Sequence, residues 1–318
     1  MSELRGLGVD RQVALLFVVL FGLLALASAS AVFVALRRDE PEQGGRAERA
    51  GRELRVLWLG AAVFWLAWVS GPLGATLCFG AVSFLALREF ITLAHTRRGD
   101  HRSLLLAFFA VLPLQYLMVG LRSFDLFSVF IPVYVFFSLP LISALAGDPE
   151  RFLERNAAIQ WGLMVCVYGL SHAPALLLLQ FPGYVGRGAF LVFFLVAVTA
   201  AGQLAQAALQ RRLRRRPLAR HIDRRFSARA WLLATPAAGF VGAALYWITP
   251  FKPLQALALG LIAAGAGTLG GFVMKALEGP AGQRPVTGAV GLLDRVAPLC
   301  FAAPVFFHSA RWYFSVRV

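Results

Sequence analysis

PLQALALGLIAAGAGTLGGFVMKAL, residues 253–277, decides the fold class. It carries a single charge, Lys275, in 25 residues, and a bilayer core about 30 Å thick is crossed by about 20 apolar helical residues. Its glycines, in GLIAAGAGTLGG at 260–271, superficially suggest a phosphate-cradling loop. No strand precedes them and the run is apolar throughout, so they are read as sites where another helix packs closely.

The rest of the chain has the same character. Of 318 residues, 59% are hydrophobic and 15% charged, and the mean hydropathy is +0.70. A soluble domain has about 45–50% apolar and about 25% charged residues. Further apolar runs lie near 12–36, 55–71, 73–94, 103–121, 124–146, 158–179, 188–209, 230–249 and 291–308. With 253–277 they predict an all-α, polytopic membrane protein of about ten spans, forming one transmembrane domain over residues 1–318. The first run ends near Ala27-Ser28-Ala29, which resembles a signal-peptide cleavage site. Its apolar stretch is too long and its basic flank too thin for one, so an uncleaved helix is expected.

The connections alternate in basic charge. Arg37, Arg38, Arg46, Arg49, Arg52 and Arg55 fill the first; Arg97, Arg98 and Arg102 the third; Arg151 and Arg155 the fifth. The seventh, RRLRRRPLARHIDRRFSAR at 211–229, holds nine arginines, and Arg284 stands in the ninth. The even connections carry at most one basic residue each. The positive-inside rule therefore places the odd connections in the cytoplasm and both termini outside. This placement also accounts for the net charge of +15. Basic segments beside a bilayer meet anionic headgroups, and no folded basic face with interleaved aromatics exists for a nucleic acid.

Polar groups interrupt several spans: Arg88-Glu89, Gln115, Gln160, Ser171-His172, Gln203 and Gln206. Neighbours on a helix diverge by about 100°, so Arg88 and Glu89 do not simply pair with each other and need partners on another helix or at headgroup level. The glutamines and His172 are expected to bond between helices. The three cysteines, Cys78, Cys166 and Cys300, lie in apolar runs without zinc spacing and are read as buried thiols.

One charged pair stands at a span entrance: Asp294-Arg295, in GLLDRVAPLCFAAPVFFH at 291–308. This run resembles the end of the phosphatidate cytidylyltransferase (CDP-diacylglycerol synthase) family, where D-R-x-D precedes an F-A-A-P-V-F-like helix. FGAVSFLALREFITL at 79–93, the segment 130–179 and the basic seventh loop are also similar to the family, and the resemblance covers residues 56–318.

The resemblance implies an enzyme of phospholipid biosynthesis in a bacterial-type inner membrane. It would transfer CMP from CTP to phosphatidic acid with Mg2+, and a homo-oligomer is admitted. Phosphoryl transfer between two anions needs carboxylate-held metal and a basic cradle. By the same resemblance Asp294 is the metal ligand, Asp294 and Arg295 the catalytic pair, and Arg225, Arg229 and Arg284 the substrate contacts.

The family's other motif residues are replaced. Its S-x-x-K-R-D-x-G-x-K-D segment falls on Lys275 through Pro285: the serine becomes Lys275, the first lysine Glu278, the arginine Gly279, and the aspartates Pro280 and Pro285. Gly282 is kept and Arg284 replaces the second lysine. P-G-H-G-G becomes Thr287-Gly288-Ala289-Val290-Gly291, and the last aspartate of D-R-x-D becomes Ala297. The N-D pair falls on Gly202 and Gln203, and S-P-x-K-T on Asp223 through Ser227.

Two functions follow. Either a cytidylyltransferase site is rebuilt from Arg225, Arg284, Asp294 and Arg295, or a non-catalytic member binds anionic lipid or a partner membrane enzyme. On the second reading Asp294 and Arg295 form a salt-bridged cap on the last helix. A transporter would show internal repeats, and none is seen.

Overall fold

The computed structural model describes residues 8–36, 58, 65, 69–181, 184, 186–213, 217–224, 226–279 and 291–314. The described residues are helical, with short connections and no strand. The helices are α1 (Val9–Leu36), α2 (Gly71–Leu93), α3 (Arg98–Gly120), α4 (Phe124–Ala144), α5 (Phe152–Leu178), α6 (Gly188–Leu213), α7 (Ala228–Ala244), α8 (Pro253–Leu277) and α9 (Leu292–Tyr313).

Six of them, α2 to α6 and α8, are long and apolar enough to cross a membrane. The protein is thus an all-α polytopic membrane protein, but the expected count of ten is not reached among the described residues. Helix α7 stops at 17 residues, before the tight turn Tyr246–Ile248. Helix α9 is long enough, but Asp294, Arg295, His308 and Arg311 lower its apolarity. The 55–71 segment lies largely outside the described residues.

The chain divides into two units, residues 1–75 and 76–318. In the first, the rings of Phe17 and Phe21 pack against Trp65 and Trp58, and Trp58 Nε1 donates to Ser28 Oγ at 3.0 Å.

In the second unit, proline sets the local geometry. A π-helical turn at Ala107–Val111 precedes Pro113, another at Phe130–Val135 contains Pro132, and a third at Leu163–Gly169 precedes Pro174. Proline lacks an N–H, and a wider turn reseats the helix around the missing bond. Backbone left free in lipid must find other partners, and Pro140 leaves the Phe136 carbonyl without its helical donor. Gln160 Nε2 donates to Phe136 O at 2.9 Å, Tyr116 OH to Phe79 O at 3.0 Å, and Ser103 bonds Ser143 at 2.7 Å. The Gln160 bond is one of the interhelical contacts expected of the glutamines, whereas the bond of His172 is to Tyr168 O in its own helix, not between helices.

The glycine-rich stretch of α8 is a packing surface. A Cβ on Gly267 would lie 3.1 Å from Pro298 O, so α9 approaches α8 to backbone distance. Gly267 also faces Ala302, and Gly271 faces Pro298. The two helices are therefore antiparallel, and one turn beyond these contacts Lys275 lies level with Asp294.

Candidate functional site

The replaced motif positions gather at one end of the second unit. Gln203 of α6 donates from Nε2 to Gly267 O of α8 at 3.4 Å. One turn on, Gln206 reaches Ser227 O at 3.5 Å, and its own Oε1 is buried without a partner. The loop before α7 turns back on itself, Leu218 N–H donating to Phe226 O at 2.8 Å. Phe226 packs against Phe272 of α8, with centroids 4.5 Å apart and the rings tilted by 31°. That packing carries Asp223 to α8, where its Oδ2 accepts from Lys275 Nζ at 2.6 Å. Asp223 is buried and the Lys275 side chain about one-third exposed (37%).

This ion pair joins two separate motif segments. Asp223 and Lys275 each stand where the family has a serine, and each change introduces a charge that the other neutralises. Either charge alone would be costly at this depth. The complementary signs were present in the sequence, but nothing along the chain brings residues 223 and 275 together.

Helix α9 begins at Gly291, whose φ of +65° lies in the region that favours glycine. The first N–H groups of a helix have no partner within it. Here Leu292 N and Leu293 N both donate to Glu89 Oε2 of α2, at 3.1 and 3.2 Å. Glu89 thus finds the interhelical partner that its position demanded, and a carboxylate at the positive end of a helix is stabilising. Sequence reading identified the need but not the partner, because residues 89 and 292 meet only in the folded bundle.

Asp294 and Arg295 follow in the first turn of α9. Both are exposed, and neither makes a hydrogen bond or ion pair among the described residues. The expected salt-bridged cap is therefore not formed by this pair; Glu89 does the capping. Arg229 is exposed near the start of α7. Arg225 and Arg284, with Pro280 and Pro285, lie outside the described residues.

The donor set fits the expected Mg2+ poorly. Of the carboxylates at the motif positions and beside them, Glu89 accepts from two backbone N–H groups and Asp223 from Lys275, Glu278 ends α8, and Asp294 is exposed. Among the described residues no three His, Cys, Asp or Glu side chains gather to hold a metal. Ala297, which stands for the family's last aspartate, is buried in an apolar cluster with Met274, Leu293 and Cys300. A magnesium ion usually takes one or two carboxylates with waters, and a pair of ions would need more than Asp294.

Residues 51–313 match the cytidylyltransferase family. An Escherichia coli K12 protein described as uncharacterized protein YnbB is 35% identical over 304 residues, which span 92% of this chain and 96% of that relative.

Proposed function

The chain belongs to the cytidylyltransferase family, in its phosphatidate cytidylyltransferase type, and from that premise we propose that it binds the phosphate headgroup of phosphatidic acid or another anionic lipid without transferring CMP to it. The proposed setting is a bacterial inner membrane, crossed ten times, with the ends of α6, α8 and α9 that carry the site in the cytoplasm.

The observation that carries this reading is the Lys275–Asp223 pair, 2.6 Å apart at two positions of the family's motifs. Its lysine is held by a carboxylate, and Asp294 is the exposed carboxylate at the start of α9. Cytidylyl transfer relies on several groups acting as a unit, and loss of a single donor typically costs about 10²–10³ in rate. Arg229 and Arg295 are exposed beside the headgroup level, and Arg225 and Arg284 add basic charge in the adjoining segments. A phosphate monoester supplies the acceptor oxygens that guanidinium groups bind well. The same surface would serve a homo-oligomer or a partner membrane enzyme that takes over the lipid.

The competing reading, CMP transfer from CTP with Mg2+, is favoured by one feature: Asp294 is free. Purified full chain incubated with CTP, Mg2+ and phosphatidic acid separates the two. The expected result is lipid retention that weakens with salt, and no CDP-diacylglycerol above the blank. Turnover that disappears in Asp294→Asn would overturn the proposal.

A further inference from the structure

Lys275 is the single charge of α8, and it stands on the face that packs against α6. The neighbours along that face are small. A Cβ on Gly202 of α6 would lie 3.1 Å from Ala264 Cβ and 3.6 Å from Thr268 Cγ2, and one on Gly271 would lie 3.7 Å from Gln203 Nε2. Ala264, Thr268, Gly271 and Lys275 repeat at spacings of four and three, so the lysine continues this seam by one turn.

Two residues separate Lys275 from the end of α8, which the proposed topology puts at the cytoplasmic headgroups. A long cationic side chain at such a place lays its stem along the helices and carries its ammonium into the headgroup layer. Asp223 Oδ2 holds that ammonium at 2.6 Å; the carboxylate is buried while the lysine side chain stays partly exposed. An anion arriving from the membrane surface therefore meets the cationic side of the pair. A pair of this kind adds little net stability, because desolvation offsets the attraction, and apolar residues of similar volume serve a fold as well. Packing alone does not call for these two charges.

We propose that Lys275 donates to the phosphate of the bound lipid from the α8 side, while the arginines face that phosphate from the surface. This assignment rests on the headgroup reading given above and adds a contact to it. The family has a serine at this position, so the contact belongs to this chain's own sequence. An ammonium is a compact three-donor charge that bonds phosphate oxygens without the fixed fork of a guanidinium. The phosphate is a lipid's rather than a free one, because acyl chains anchor it at the end of a span and a soluble phosphate has no such hold.

The rival is a pair that serves the fold alone, and charge-balanced substitutions separate the two. Lys275→Met by itself strands a buried carboxylate and is open to misfolding. Lys275→Met with Asp223→Asn removes one charge of each sign, leaving the net charge unchanged and no charge buried alone. The swap Lys275→Asp with Asp223→Lys keeps both the pair and the net charge but turns a carboxylate toward the lipid. Purified full chain is titrated with phosphatidic acid in mixed detergent micelles, with inorganic phosphate as the competitor, and melting is followed alongside. Whichever double variant keeps the parent's melting curve decides. It should bind phosphatidic acid about tenfold more weakly or worse, as loss of a hydrogen bond to a charged group implies. Inorganic phosphate at the lipid's own concentration should displace none of it. Binding as tight as the parent's overturns the proposal and leaves the headgroup reading standing without Lys275. A parent chain that binds no phosphatidic acid overturns both. Displacement by an equal concentration of inorganic phosphate overturns the assignment to a lipid.

Discussion

Two groups of charged residues at the same end of the second unit are treated in opposite ways. In the first, Arg155 and Asp100 are almost wholly buried, and nearly every polar atom is used. Arg155 Nε donates to Asp100 Oδ1 at 3.1 Å and Nη1 to Asp148 Oδ2 at 2.9 Å, while Nη2 reaches Asp148 O at 3.1 Å. Asp100 Oδ2 accepts from Arg97 N at 2.9 Å, and Arg97 also pairs with Glu150. In the second group, Asp294 and Arg295 are exposed and make no hydrogen bond or ion pair among the described residues. Buried charges survive only when partnered, so the first group is architecture that ties the α2–α3 connection to the α4–α5 connection. The second group spends nothing on the fold and is available to a ligand.

The largest effect tests the architectural half. Arg155→Met leaves Asp100 buried without its counter-charge, and loss of one partner of a buried pair costs about 3–5 kcal/mol. Thermal melting in detergent reads it. A loss below about 1 kcal/mol would mean that the network is not structural and that the contrast fails.

Glu89→Ala should cost less, about 1–2 kcal/mol, because two backbone donors at the start of α9 lose their acceptor. Hydrogen exchange at the Leu292 and Leu293 amides should rise while the rest of α9 stays protected. Uniform loss of protection would place Glu89 with the architectural group instead.

Acid gives a milder test. Burial raises the Asp148 carboxyl, but the Glu150 N–H bond and the charges of Arg155 and Arg97 outweigh it and hold the carboxyl below the usual carboxylate range. Its folded pKa is thus depressed. The stability it contributes is complete above the ordinary value of about 3.9 and is lost as pH falls through the lower folded value. Melting temperature should fall on acidification below about pH 4, and Asp148→Asn should flatten that dependence. An unchanged slope would remove Asp148 from the network.

How much of this was written in the sequence differs between the two regions. Hydropathy marked the helices because burial in lipid depends on local composition alone, and Gln115, Gln160 and Glu89 announced a need for partners simply by being polar at depth. The spans that disagreed did so for local reasons: a tight turn ends α7 at Ala244, and charge dilutes α9. Partner identity was not legible. Glu89 meets Leu292 across 203 residues and Asp223 meets Lys275 across 52, and such pairings are set by helix register rather than by any local pattern. Asp294 and Arg295 were visible as candidates, but their freedom shows only once Glu89 is seen to cap the helix.

The smallest effect on stability is expected at Asp294, and it bears hardest on function. Asp294→Asn keeps the size of the side chain and removes one charge from the first turn of α9, worth about 0.3–1 kcal/mol at an exposed helix start. Since Glu89 already holds the helix end, melting should move by no more than that. Phosphatidic acid retention gives the sign of the site. If Arg295 and its neighbours hold the headgroup directly, Asp294 only repels it, and the substitution should strengthen retention. The gain should be up to about fivefold, as about 1 kcal/mol per surface charge implies, and EDTA should leave it unchanged. If Asp294 holds a magnesium ion that bridges to the phosphate, Asp294→Asn and EDTA should both weaken retention, and the free carboxylate would be a working ligand after all.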